Sequence, residues 1–81
     1  MEHLQERIVK VIASTLDINE EQVVPEAAFV HDLGADSLEV VDLIVGLEEE
    51  FNVIIPDADA YKIRTVREAL GYLQSRLLKT A

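Results

Sequence analysis

From Leu4 to Leu16 the apolar residues fall at Leu4, Ile8, Val11, Ile12 and Leu16, the spacing of one face of an α-helix. Residues 17–22 are polar, and Val24-Pro25 bars a helix from running through, because the residue before proline is pushed out of the helical region. The stretch PEAAFVHDLGAD then reads as an ordered loop, with Phe29, Val30 and Leu33 turned inward to seal the core. A second helix opens at Asp36 and runs to about Phe51. Aspartate is a good N-cap, and Glu39 three residues later approximates a capping box. After the extended NVIIP, Pro56 suits the first turn of a short third helix over residues 57–61, with acids near its positive end. Thr65-x-x-Glu68 is a full capping box for the last helix, whose apolar face is Val66, Ala69, Leu70, Leu73 and Leu77. No segment sustains strand alternation. The pattern predicts an all-α fold: a small four-helix bundle, three longer helices and one short one, with a long loop between helices one and two.

The second helix carries more apolar residues than a core requires. At about 100° per residue, Val40, Leu43, Ile44, Leu47 and Phe51 make one face, and that face suffices for packing. Leu38 and Val45 project nearly opposite it, beside Asp42 and Glu49 and flanked by Glu39 and Glu48. Scattered surface aliphatics are normal. Set among four carboxylates at the capped end of a helix, these two read as a docking face, with apolar contact for affinity and acids for steering. Gly46, inside the same helix, costs about 1 kcal/mol relative to Ala, and close approach of a neighbouring helix is the expected reason, ahead of room for something to pass into the bundle.

Composition narrows the function classes. The 81 residues fit one domain, taken as 1–81, with room for a small core that is aliphatic because aromatics are only 5%. Sixteen Asp and Glu against seven Lys and Arg give a net charge of −9. Such a surface repels phosphate backbones and anionic membranes, so neither nucleic acid nor membrane insertion is expected. It favours basic patches on other proteins. The absence of cysteine removes disulfides, thiolate nucleophiles and Cys-ligated zinc. No secretory signal or membrane-length run is visible, and a cytoplasmic monomer is expected.

Within DLGADSLEVV, Ser37 has three readings. As a cap it is redundant beside Asp36. As a nucleophile it lacks the G-x-S-x-G elbow, and no motif ties either histidine, His3 or His31, to it. As an attachment point it is well placed, since a hydroxyl in the first turn of a helix faces free N–H groups and the positive end of the dipole. An EF-hand register from Asp32 fails, with Ser37 where glycine is needed and Leu43 where glutamate is needed. No metal site and no catalytic residues are expected.

The segments FVHDLGADSLEVVDLIVGLEEEF and IPDADAYKIRTV together resemble the acyl carrier proteins of dissociated (type II) fatty acid synthesis, over essentially the whole chain. The resemblance implies that a phosphopantetheinyl transferase attaches phosphopantetheine from coenzyme A covalently to Ser37, importing the thiol that the chain lacks. Acyl groups would ride on that thiol as thioesters, and the protein would be substrate and scaffold rather than enzyme. The resemblance also makes helix two the recognition helix, with Asp36, Leu38, Glu39, Asp42, Val45, Glu48 and Glu49 meeting basic docking patches on fatty acid synthesis enzymes. An acyl chain would shelter in the bundle, with Phe29, Val30, Val40 and Leu47, together with Ile55, Ala60, Ile63 and Leu73, as its lining. Tyr61, Ile54 and Ala58 depart from the acidic third helix of that family, and Arg64 and Arg67 add positive charge nearby. The rival readings are a specialised carrier for a polyketide, modified-lipid or aminoacyl pathway and an unmodified acidic helical adaptor.

Overall fold

The structure is a computed structural model that describes residues 3–79, with side chains through residue 77. Among these residues are four α-helices: α1 (Leu4–Leu16), α2 (Ser37–Phe51), α3 (Asp57–Ala60) and α4 (Val66–Lys79). The predicted all-α bundle with a long first connection is the observed architecture. That connection also holds a 3-10 turn, Glu20–Gln22, where the sequence reading has only polar loop. Asn19 explains the turn, because it exchanges side-chain and backbone hydrogen bonds with Gln22 as a capping box does.

Local chemistry sets the helix ends. α1 stops at Asp17 in the left-handed region (φ 56°), with the Asp17 and Ile18 N–H groups both returning to the Ala13 carbonyl. α2 stops the same way at Asn52 (φ 54°), and the Val53 N–H reaches the Glu48 carbonyl at 3.1 Å. α3 is one residue shorter than expected. Tyr61 is its C-cap and not a member, and the helix buries no residue of its own. Thr65 and Glu68 form the expected box ahead of α4, with Glu68 N–H donating to Thr65 Oγ1 at 3.1 Å and Thr65 N–H to Glu68 Oε1 at 3.0 Å.

The core is aliphatic, and its largest fully buried side chains are Ile8, Ile12, Phe29, Leu43, Leu47 and Leu73. α1 therefore packs on α2 and α4 through one stripe of each helix. Gly46 lies where α2 crosses α1, and a Cβ there would stand 3.1 Å from Val11 Cγ1. Close packing is thus the reason for this glycine. Arg7 ties the other end of the crossing: its Nε donates to Glu50 Oε2 at 2.8 Å, and its guanidinium lies 4.5 Å from the centre of the Phe51 ring.

The long loop folds back onto the entry to α4. Phe29 N–H donates to the Arg64 carbonyl and Val66 N–H to the Ala27 carbonyl, an isolated antiparallel bridge centred on Ala28 and Thr65. Side chains alternate across this extended stretch, so Ala27 and Phe29 point inward. Val30 therefore points out. It is 62% exposed, which corrects the expectation that it seals the core. Leu33 is half-buried against the core as expected.

Candidate functional site

Three consecutive residues present Ser37. Ala35 is buried, and its N–H donates to the Phe29 carbonyl at 2.9 Å, which anchors the chain just ahead of α2. Gly34 makes that approach possible, since its φ of +73° is disfavoured for residues with a Cβ. Asp32 closes the preceding turn by accepting the Ala28 N–H at 2.7 Å. Asp36 then caps α2, with its Oδ1 accepting from Glu39 N–H at 2.8 Å while Glu39 Oε1 accepts from Asp36 N–H at 3.1 Å. Both arms of the box close, a fuller cap than the sequence spacing alone suggests. Because Asp36 does the capping, the Ser37 hydroxyl has no hydrogen bond within the described residues, and the residue is exposed. The Ser37 and Leu38 N–H groups are likewise unclaimed at the positive end of the helix.

This arrangement fits a phosphodiester on Ser37. The hydroxyl is exposed, and two backbone donors lie beside it. The Asp36 and Glu39 carboxylates oppose it, and both are engaged in the cap, Asp36 Oδ1 by the Glu39 N–H and Glu39 Oε1 by the Asp36 N–H. Among the described residues no cluster of three His, Asp or Glu side chains is placed to hold a metal ion.

Along α2 the residues expected to dock partners separate into two kinds. Leu38 is 70% exposed and Val45 43%, and Val41, which the sequence reading passed over, is 56% exposed between them. The spacing 38, 41, 45 was itself the signal, for it is one helical stripe. Asp42 and Glu49 are exposed, and their carboxylates have no hydrogen bond or ion pair among the described residues, so their charge is available. Asp36 and Glu39 are tied into the cap. Glu48 is half-buried, and its Oε2 accepts the Ile55 N–H at 2.7 Å, holding the α2–α3 connection.

Two adjoining grooves open between α2 and α3. One, of about 330 Å³, runs over Phe29, Val30, Val40, Ala60 and Ile63 toward His31, Tyr61 and Arg64. The other, of about 360 Å³, lies over Val40, Val41, Ile44 and Ile55 toward Tyr61. Val40, Ala60 and Tyr61 belong to both. Of the residues expected to line an acyl shelter, Leu47 and Leu73 are fully buried and reach neither groove. Beyond α3, a polar chain joins it to α4: Tyr72 OH donates to Asp59 Oδ2 at 2.7 Å, and Arg76 Nη1 donates to Tyr72 OH at 2.7 Å and to the Ile54 carbonyl at 2.8 Å. Burial, then the hydrogen bond to Asp59, holds the Tyr72 phenol above its ordinary range, with Arg76 opposing.

A small helical domain that turns a free hydroxyl outward at a capped helix entrance, beside an apolar groove, has the geometry that a covalent carrier domain needs. A family model described as the phosphopantetheine attachment site matches residues 6–73, and the chain belongs to that family. Its cofactor is covalent phosphopantetheine, and the domain is a carrier rather than a catalyst, working with acyl groups and the enzymes that process them.

Proposed function

We propose that Ser37 is the attachment residue and that the protein is an acyl carrier of type II fatty acid synthesis, working as a cytoplasmic monomer. The observation that carries this reading is the Ser37 hydroxyl, exposed and without a partner among the described residues at the entrance of α2 while Asp36 does the capping. In the transfer, Ser37 Oγ bonds to the phosphorus that bears pantetheine, the pyrophosphate bond of coenzyme A breaks, and adenosine 3′,5′-bisphosphate leaves. The hydroxyl proton passes to the transferase. The arm supplies a thiol, and with it thioester chemistry, to a chain that has no cysteine.

The chain's own residues then orient and deliver. Leu38, Val41 and Val45 offer an apolar strip to the processing enzymes, and Asp42 and Glu49 steer it toward basic surfaces. Asp36, Glu39 and Glu48 add to the same field while holding the ends of α2. Phe29, Val40, Ile55, Ala60 and Ile63 give an acyl chain an apolar bed, with Val30 at its edge. Tethering keeps the thioester at high effective concentration beside a docked active site, so each docking contact can stay weak and short-lived.

A specialised carrier is the second reading, and Tyr61 favours it. That residue is 78% exposed, beside Arg64, where the resembled family keeps acids. The test of carriage is intact mass after incubation with coenzyme A and a broad-specificity phosphopantetheinyl transferase. Wild type gains one phosphopantetheine and Ser37→Ala gains none. No gain on wild type, or an undiminished gain on Ser37→Ala, sinks the proposal.

A further inference from the structure

Resting on Ser37 as the arm's anchor, we infer that the first groove selects an acyl group that ends in a carboxylate, and that Arg64 is the residue that selects it. The groove is bordered by two kinds of residue: Phe29, Val40 and Ile63 are apolar, and His31, Tyr61 and Arg64 carry polar ends. Val40 lies three residues beyond Ser37, about 4.5 Å along the helix axis, so the groove begins one turn from the anchor.

Arg64 differs from the other arginines. Arg7 and Arg67 each reach a carboxylate, and Arg76 is engaged through its terminal Nη1, which donates to both the Ile54 carbonyl and the Tyr72 hydroxyl. Arg64 uses only its Nε, toward the Tyr61 carbonyl at 3.3 Å, and its two terminal nitrogens have no acceptor among the described residues. The nearest acid in sequence is Glu68, whose Oε1 is occupied by the Arg64 and Thr65 N–H groups and the Thr65 hydroxyl. The guanidinium is therefore held by its backbone contact while its outer edge stays open, in a chain with nine excess negative charges. The His31 ring and the Tyr61 hydroxyl beside it are also without partners among the described residues.

A planar guanidinium with a free edge matches a carboxylate better than it matches any single neutral oxygen. An alkyl acyl chain would satisfy the apolar residues and leave the three polar ends as they are. A dicarboxylic half-thioester satisfies both kinds at once, with its methylenes over Phe29, Val40 and Ile63 and its far carboxylate on Arg64. About 330 Å³ is at the lower end of the usual range for small-molecule sites, which suits a chain of medium length.

The test loads hexanoyl and adipoyl arms, equal in carbon number, from their coenzyme A thioesters onto Ser37 of the full chain, with intact mass confirming each. Amide ¹H–¹⁵N spectra and the rate of thioester hydrolysis are then compared. Both arms should move Phe29 and Val40. The adipoyl arm alone should move His31, Tyr61 and Arg64, and its thioester should hydrolyse roughly two- to fivefold more slowly, the scale of one partly exposed ion pair. Arg64→Gln should erase that difference, Arg64→Lys should restore part of it, and Lys62→Gln should leave it intact. Equal behaviour of the two arms on wild type, or an adipoyl effect that survives Arg64→Gln, overturns the selection by Arg64 and leaves the attachment standing. Failure of wild type to accept either arm overturns the attachment and the selection together.

Discussion

Tyr72 shows how much one hydroxyl can organise. It donates to Asp59 and accepts from Arg76, which in turn holds the Ile54 carbonyl, so a single phenol links α4 to α3 and to the strand-like segment before it. Tyr72→Phe keeps the ring and cuts both contacts. Urea unfolding should register a loss of about 1 kcal/mol, the usual net worth of such hydrogen bonds. The pH dependence has a definite sign. Because the folded phenol titrates above its unfolded value, its contribution is whole below about pH 10 and fades as the pH climbs through the folded value. Wild type should therefore lose stability more steeply than Tyr72→Phe on going from pH 9 to pH 11, and parallel slopes would refute the link. At this scale the sequence was legible wherever a side chain serves its own neighbourhood. Asp36 and Glu39, and Thr65 and Glu68, are three residues apart, and their boxes are found as read. Glu48 was not legible, since its partner Ile55 is brought to it only by the reversal of the chain at Asn52.

Among the elements, α2 bears three duties on three faces. Leu43 and Leu47 fill the core, Gly46 lets α1 come close, and Leu38, Val41 and Val45 face outward. The contact at Gly46 can be probed by size. Gly46→Ala should be near neutral, because a gain in helix propensity of about 1 kcal/mol is offset by crowding of Val11 Cγ1 at 3.1 Å. Gly46→Leu has no such escape and should cost about 2 kcal/mol by overpacking, read as a lower urea midpoint with an unchanged slope. A stable Leu variant would mean that α1 and α2 can part at little cost. Periodicity located the core face of α2 correctly because the face repeats within the helix. It could not foresee that Val30 turns outward, for that follows from the Phe29 N–H pairing with the Arg64 carbonyl in a distant segment.

For the whole molecule, charge is distributed unevenly against its own sum. The net charge is −9, yet Arg64 stands open at a groove one turn from Ser37, while Asp42 and Glu49 stand open on α2. Asp42→Lys should leave the circular dichroism melt in place and lower kcat/KM with a condensing enzyme about two- to fivefold at low salt, the loss expected for an exposed charge pair. The deficit should shrink as salt is added, and unaltered low-salt kinetics would remove Asp42 from the docking face. The sequence alone determined the four α-helices, the capping boxes ahead of α2 and α4, the outward place of Ser37 and the acidic balance, because each depends on residues within a turn of one another or on composition. Only the tertiary structure decided that His31, Tyr61 and Arg64 share a groove with Val40, that Glu48 is committed to Ile55 and that Gly46 meets Val11. Those pairings join segments that no local rule connects, and they exist only once burial of the common core has fixed where each helix lies.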